Sequence, residues 1–292
     1  MAPTKGLPKK KSHYLSSKYK STIAIILLLV ACNIYGSSRL VSTYISEMYS
    51  ENLPTTKDFK VLLYITTHMS AWHKWYLELC WPKALEKSSL LQHADVAVYL
   101  TPGKNTSQFE AKTILRDTFK DQNNLTIYVR DNQDKNEGAM AALSDAVQEG
   151  WWRGYDWVIR VNPDVIIRDD RYMLDVMHND TNATAIIINC TASGGKKAHT
   201  DFFAIKLDVL PSDAFLKPES SNAEASFTSH IRKDILEKGG ARYIAGAKPL
   251  WRWGCRAGGG RDYSKSDVIH HDPSTEAGQL ELMSKMTCPI PF

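Results

Sequence analysis

The feature that most restricts what this chain can fold into is an alternation between short, nearly unbroken apolar runs and longer stretches of helical spacing. The runs are KVLLYITT at 60–67, DVAVYLT at 95–101, LTIYVRD at 125–131 and WVIRVNPDVII at 157–167. A strand with one wet face alternates polar and apolar residues, so an unbroken run describes a strand covered on both faces. Between the runs lie helical stretches at 70–91 (interrupted at Pro82), at 106–119, and in the Ala-rich GAMAALSDAVQEGWWRG at 138–154. Regular βαβα order predicts an α/β domain, Rossmann-like, with a mainly parallel sheet and helices on both faces. Farther on, TAIIINC at 184–190 and HTDFFAIKL at 199–207 read as strands, and 220–240 reads as a capped helix ending in glycine.

Residues 59–292 suit one domain of ordinary size, and no internal period marks a repeat array. What precedes them is different in kind. Lys5, Lys9, Lys10, Lys11, Lys18 and Lys20 crowd a tail at 1–20 that holds no acid, so the tail more than accounts for the net charge of +4. The remainder is near neutral, which argues against nucleic acid as a partner. An uncharged stretch follows at 21–38, close to the shortest helix that spans a bilayer. A cleaved signal peptide would want an A-x-A site, and a buried core helix would not follow lysines in this way. The expectation is a transmembrane signal-anchor with a cytosolic tail, a stem at 39–58 and a lumenal body: a single-pass type II protein of the Golgi or endoplasmic reticulum membrane. Sequons at Asn105, Asn124, Asn179, Asn182 and Asn189 agree with a lumenal body. So does an even number of cysteines past the anchor, Cys80, Cys190, Cys255 and Cys288, whose pairing the sequence leaves open.

In open parallel sheets, ligands bind beyond the carboxyl ends of the strands. Those ends here carry Thr66, Thr67 and His68, then Arg130 and Asp131, then Asn162 and Asp164. Asp131 fits turn chemistry as readily as a site. Asp164 carries more information, because Pro163 fixes φ and cannot donate to a ladder, so the strand must bend there and aim a side chain out of the pleat. A hard divalent cation on a phosphate takes oxygen ligands and often only one or two protein carboxylates. Asp164 offers one such oxygen donor and Asn162 a neutral second contact.

The segment W-x-x-R-x-N-P-D-V-x-I, after an Ala-rich helix that begins NEGA, resembles the metal-binding centre of GT-A-fold nucleotide-sugar glycosyltransferases. In that superfamily a D-x-D motif ends the fourth strand, and its acids hold Mn²⁺ or Mg²⁺ on the donor diphosphate. Here the motif reads Asn162-Pro163-Asp164, with Asn in place of the first acid. The resemblance implies a GT-A-like fold and a late histidine as a further metal ligand, His270 or His271, of which a strand would aim only one at the metal. It also implies a Gly-rich cover at 255–266 whose Arg256 and Arg261 meet phosphate oxygens. Donor contacts would come from Thr66, Thr67, Asp131, Asn136, Gly138 and Arg160. Asp201, in HTDFFAIK, would be the acceptor-activating acid, with Glu224 as the rival base. Of the eight tryptophans, Trp251 and Trp253 stand beside the Gly-rich cover and are candidates to stack on sugar.

The function expected is therefore metal-dependent transfer of a sugar from a nucleotide-diphosphate donor to a glycan, glycoprotein or glycolipid. The alternative is a degenerate, membrane-anchored carbohydrate-binding protein on the same fold, with Asn162 as its mark. No G-x-G-x-x-G follows the first strand, and G-x-x-x-x-G-K-[ST], G-x-S-x-G and H-E-x-x-H are all absent. These absences argue against dehydrogenases, P-loop enzymes, α/β-hydrolases and zincins.

Overall fold

The structure is a computed structural model that describes residues 59–103, 106–131, 135–190, 197–216, 222–244, 248–249, 267–270, 280–281, 283–288, 290 and 292. The lysine-rich tail, the apolar stretch at 21–38, the stem to residue 58, His271 and the whole Gly-rich segment with Arg256 and Arg261 lie outside the described residues. Among the described residues no helix is long and apolar enough to cross a membrane. Residues from Pro54 to Phe292 form one compact unit.

The four apolar runs become the parallel heart of a sheet. Strands β1 (Val61–Thr67), β2 (Asp95–Leu100), β3 (Leu125–Val129) and β4 (Trp157–Val161) stand in the order β3-β2-β1-β4. Helices α1 (Ala71–Leu79), α2 (Trp81–Lys87), α3 (Ser89–His93), α4 (Gln108–Thr118) and α5 (Lys135–Gln148) connect them. The sheet continues as β4-β7-β6-β8, where β6 is Ala185–Cys190, β7 is Lys197–Lys206 and β8 is Ala241–Tyr243. Strand β7 runs antiparallel to both of its neighbours. A second sheet, in the order β5-β10-β9, joins Val165–Ile167, Val268–His270 and Lys248–Pro249.

Both faces of the sheet are covered, which explains the unbroken runs. In β1, Val61, Leu63 and Ile65 enter one core with Trp72, Trp75, Trp81 and Leu115, while Leu62 and Tyr64 enter the other with Met140, Leu143 and Phe227. Tyr64 is fully buried and donates its hydroxyl to the carbonyl of Ala142 on α5 at 2.7 Å, so even the polar atom of that strand is satisfied. Inside the core that phenol ionises far less readily, because burial holds its pKa well above the usual value.

Several expected boundaries move, each for a local reason. The single helix expected over 70–91 is three short ones, broken at Cys80 and Ser88 rather than at Pro82. Pro82 sits in the first turn of α2, where its missing N–H costs nothing. Ser88 caps α3, and it in turn donates to Asp170 at 2.8 Å, whose same oxygen accepts from Leu90 N at 2.8 Å. The expected fourth strand over 157–167 is two strands in different sheets, because Pro163 stops the ladder and Val165 N closes a turn on Asn162 O at 3.0 Å. The helix expected over 138–154 runs from Lys135 to Gln148, and Gly150 (φ 72°) takes the left-handed conformation that ends it, with Gly154 (φ 88°) in the turn that follows. Helix α6 (Arg171–Asn179) was not anticipated. Helix α7 (Ala223–Ile231), capped by Asn222, passes into a π-turn at Arg232–Glu237.

One disulfide, Cys80–Cys288, ties the end of α1 to the C-terminal segment across a sequence separation of 208. Closing so long a loop stabilises by about 5 kcal/mol in the chain-entropy account. The side chain of Cys190, and Cys255, lie outside the described residues.

Candidate active site

The order of strands reverses at β1: the chain moves outward through β2 and β3, then returns to place β4 on β1's other side. In open sheets such a reversal leaves a crevice at the carboxyl ends of the strands, here those of β1 and β4, where ligands bind. Register decides which side chains stand there. Ile65 pairs with Val161, and Val161 with Phe202, so the next rung carries Thr66, Asn162 and Asp201 on three neighbouring strands. Their polar atoms meet: Thr66 Oγ1 donates to Asn162 Oδ1 at 2.9 Å, and Asn162 Nδ2 donates to Asp201 Oδ1 at 2.8 Å. The backbone follows, with Asn162 N donating to Asp201 O at 3.1 Å.

Arg160 lies two residues back on the same face of β4 and is 2% exposed. Its Nη2 donates to Thr66 Oγ1 at 2.5 Å, its Nη1 donates to the Thr200 carbonyl, and Asp201 Oδ1 stands 3.5 Å from Nη1. Burial lowers the guanidinium's pKa, and Asp201, followed by Tyr64, Asp164 and Glu224, pulls it back up. A buried arginine needs this many partners, because an unpaired interior charge costs several kcal/mol.

Asp164 is 7% exposed in the turn that follows, and Trp81 Nε1 holds that turn by donating to Pro163 O at 2.8 Å. Beyond it, β10 runs antiparallel to β5 with the backbone of His270 in register with Val165, the residue after Asp164. On the β1 side, Thr67 Oγ1 accepts from Met69 N at 3.0 Å and lies 2.9 Å from His73 Nδ1. Met69 has a left-handed φ of 52°, held by that bond and by Thr106 Oγ1 donating to Met69 O at 3.0 Å. Backbone strain of this kind, about 1 kcal/mol for a non-glycine residue, is found where a loop must approach a site. His73 is buried, and burial lowers its pKa to about 4 against a smaller upward pull from Asp164, so the ring is neutral at pH 7. A neutral Nδ1 is a natural acceptor for the Thr67 hydroxyl.

The other expected residues fall in different surroundings. Glu224 sits in the first turn of α7 and its Oε1 accepts from Thr200 Oγ1, the neighbour of Asp201 on β7, at 3.4 Å. Asn136 and Gly138 belong to the first turn of α5. Asp131 follows β3, the edge strand, and is exposed. Sequence reasoning did not single out His73 or His199. His199 Nδ1 accepts from Asp201 N at 3.1 Å, which places the proton of the neutral ring on Nε2. The H-x-D spacing on β7, which puts both side chains on one face, was the available signal.

Among the described residues no three His, Cys, Asp or Glu side chains gather closely enough to hold a metal by themselves. The donor chemistry nevertheless fits a divalent ion shared with a phosphate ligand, which asks the protein for only one or two hard donors. Asp164, a buried carboxylate at a strand exit, is one such donor.

No family model matches the chain, and no curated protein does. Solved structures with a similar course include mouse xyloside xylosyltransferase 1 (TM-score 0.46, 10% identity, covering 73% of this chain and 97% of that one). A glycosyltransferase involved in the glycosylation of the major capsid of PBCV-1 has TM-score 0.45 at 9% identity, covering 77% and 98%. The 4-diphosphocytidyl-2C-methyl-D-erythritol synthase of Anaerococcus prevotii has TM-score 0.44 at 9% identity, covering 77% and 95%. These neighbours are glycosyl and nucleotidyl transferases. Every one of these scores lies below 0.5, and the α/β architecture rests on this chain's own strand register and hydrogen bonds.

Proposed function

We propose that the protein is a nucleotide-sugar glycosyltransferase of GT-A type, moving a sugar from a nucleotide-diphosphate donor to a glycan, glycoprotein or glycolipid acceptor. The observation that carries the reading is the part-buried rung Thr66–Asn162–Asp201, braced by buried Arg160, at the strand-order reversal and directly followed by buried Asp164. Polar groups are costly to bury in a crevice, and a packed sheet retains them where a charged ligand repays the cost.

In this reading Asp164 and His270 or His271 hold Mn²⁺ or Mg²⁺, with Asn162 beside them. The ion, when bound, offsets charge that develops on the leaving diphosphate. Arg256 and Arg261 of the Gly-rich segment would meet the same phosphates. Thr66 and Thr67, at the mouth of β1, offer hydroxyls to the donor, and Asn136 and Gly138 present the first turn of α5, whose N–H groups favour anions. Asp201, 19% exposed at its side chain, opens to the crevice and accepts the proton of the attacking hydroxyl, and Glu224 is the rival for that task. The apolar stretch at 21–38, behind its lysines, supports a type II anchor in Golgi or endoplasmic reticulum membranes with this domain in the lumen.

The test is to incubate the full chain with a panel of UDP- and GDP-sugars, with and without Mn²⁺, and to follow donor hydrolysis or transfer. Metal-dependent consumption of one donor, lost in Asp164→Ala, is the expected result. No turnover of any donor, with wild type and variant alike, would favour a carbohydrate-binding module on the same architecture.

A further inference from the structure

The hydrogen bonds of the rung have a direction, and that direction explains why residue 162 is an asparagine. Arginine can only donate. Arg160 Nη2 donates to Thr66 Oγ1, so the threonine's own proton is committed onward to Asn162 Oδ1. The amide oxygen of Asn162 must therefore face β1, and its NH₂ group must face β7, where it meets Asp201 Oδ1 at 2.8 Å. Position 162 thus has to accept on one side and donate on the other. An aspartate there accepts from Thr66 but would set a second carboxylate against Asp201 at hydrogen-bond distance.

From this we infer that Asn162 is a positioning residue for Asp201, and that the acidic pair of the crevice is Asp164 with Asp201 rather than residues 162 and 164. The inference rests on the transferase reading and deepens it. The carboxylate that a D-x-D motif would carry on β4 is delivered instead from β7, one strand over on the same rung. Asn162 fixes one of its oxygens, Arg160 flanks it at 3.5 Å, and the backbone N–H of Asp201 is anchored to His199. Asp201 is thus held from three sides, with its Oδ2 3.6 Å from His199 Nδ1, and its side chain stays 19% exposed. The Asn162 oxygen, meanwhile, is occupied by Thr66, and the amide serves the carboxylate more than it serves a cation.

The exchange of the two side chains provides the test. In Asn162→Asp alone, the facing carboxylates should lower the melting temperature of the full chain by about 5 °C. In the double variant Asn162→Asp/Asp201→Asn the amide donates in the opposite direction, Thr66 keeps its acceptor, and the melting temperature should return to within about 2 °C of wild type. Turnover of the double variant should nonetheless stay down by about 100-fold in kcat with KM for the donor little changed, as for Asp201→Asn, because the acid now stands on the wrong strand. Mn²⁺ affinity in the presence of UDP, read by calorimetry, should change less than about 3-fold in Asn162→Ala, since Asn162 is not the ion's ligand. Tighter Mn²⁺ binding by Asn162→Asp with an unchanged melting temperature would overturn the inference. So would a double variant no more stable than Asn162→Asp, or one with wild-type turnover. The melting arms need no turnover: if the wild type consumes no donor but the exchange restores stability, the pairing stands and the transferase reading falls.

Discussion

Two strand exits in this sheet carry an arginine and acids, and they could hardly be treated more differently. At the end of β4, Arg160 is buried and bonded to Thr66, the Thr200 carbonyl and the neighbourhood of Asp201. At the end of β3, Arg130 is a third exposed, pairs with Asp145 at 3.3 Å and Glu149 at 2.5 Å, and lies 5.1 Å over the Trp151 ring, while Asp131 beside it is exposed. The first exit is where strand order reverses, and the second is the edge of the sheet. An edge arginine can settle its charge with helix-borne acids and water, whereas an interior one requires neighbouring strands to supply every partner. Position in the sheet, more than residue type, separates a site from a solvated ion pair.

That contrast is open to measurement. The largest effect should come from Asp164→Ala, which should cut kcat by at least about 100-fold (roughly 3 kcal/mol) with the circular dichroism spectrum unchanged. Equal activity in variant and wild type would remove the crevice from the mechanism. Next, Arg160→Met should destabilise by about 3–5 kcal/mol in urea titration, because it leaves Thr66 and Asp201 facing a buried methyl group. A loss below about 1 kcal/mol would mean that the interior guanidinium is no better placed than the edge one.

The His73 side of the crevice predicts a pH dependence. Its pKa falls from an ordinary 6.5 to about 4 on folding, so the unfolded chain binds the extra proton between those values. Its contribution is therefore complete above about pH 6.5 and is lost as pH falls toward 4, on the order of 3 kcal/mol by linkage. Urea midpoints measured across that window should fall steeply for wild type and less steeply for His73→Gln. Parallel slopes would place the acid sensitivity elsewhere. The smallest effect belongs to the edge: Arg130→Met and Asp131→Ala should each cost less than about 1 kcal/mol and leave donor turnover within 2-fold, with the Arg130 effect shrinking in salt.

The same contrast shows what the sequence disclosed. The buried parallel strands were legible because burial on both faces writes an unbroken apolar run, as in Val61–Ile65 and Trp157–Val161. The break at Pro163 was legible because proline's lost donor is a local property. Helix α6 escaped although Asp169 and Asp170 stand at its start: Asp169 Oδ1 accepts from Arg171 N, while Asp170 turns its carboxylate to Ser88 and Leu90. The role of Asn162 was hidden for a related reason. Its partners Thr66 and Asp201 lie 96 and 39 residues away, and only the register of β1, β4 and β7 puts them on one rung. The pairing of Cys80 with Cys288 is equally a product of tertiary structure and has no local signature.

The central claim is that the crevice at the end of β1 and β4 takes a nucleotide diphosphate through a divalent ion held by Asp164. It is tested most directly by the melting temperature of the full chain with UDP or GDP, with and without Mn²⁺, in wild type and in Asp164→Ala. A rise of about 5–10 °C at a hundredfold excess over Kd, requiring both nucleotide and Mn²⁺ and absent in the variant, is the predicted result. No rise with either nucleotide, or the same rise in both proteins, would contradict it.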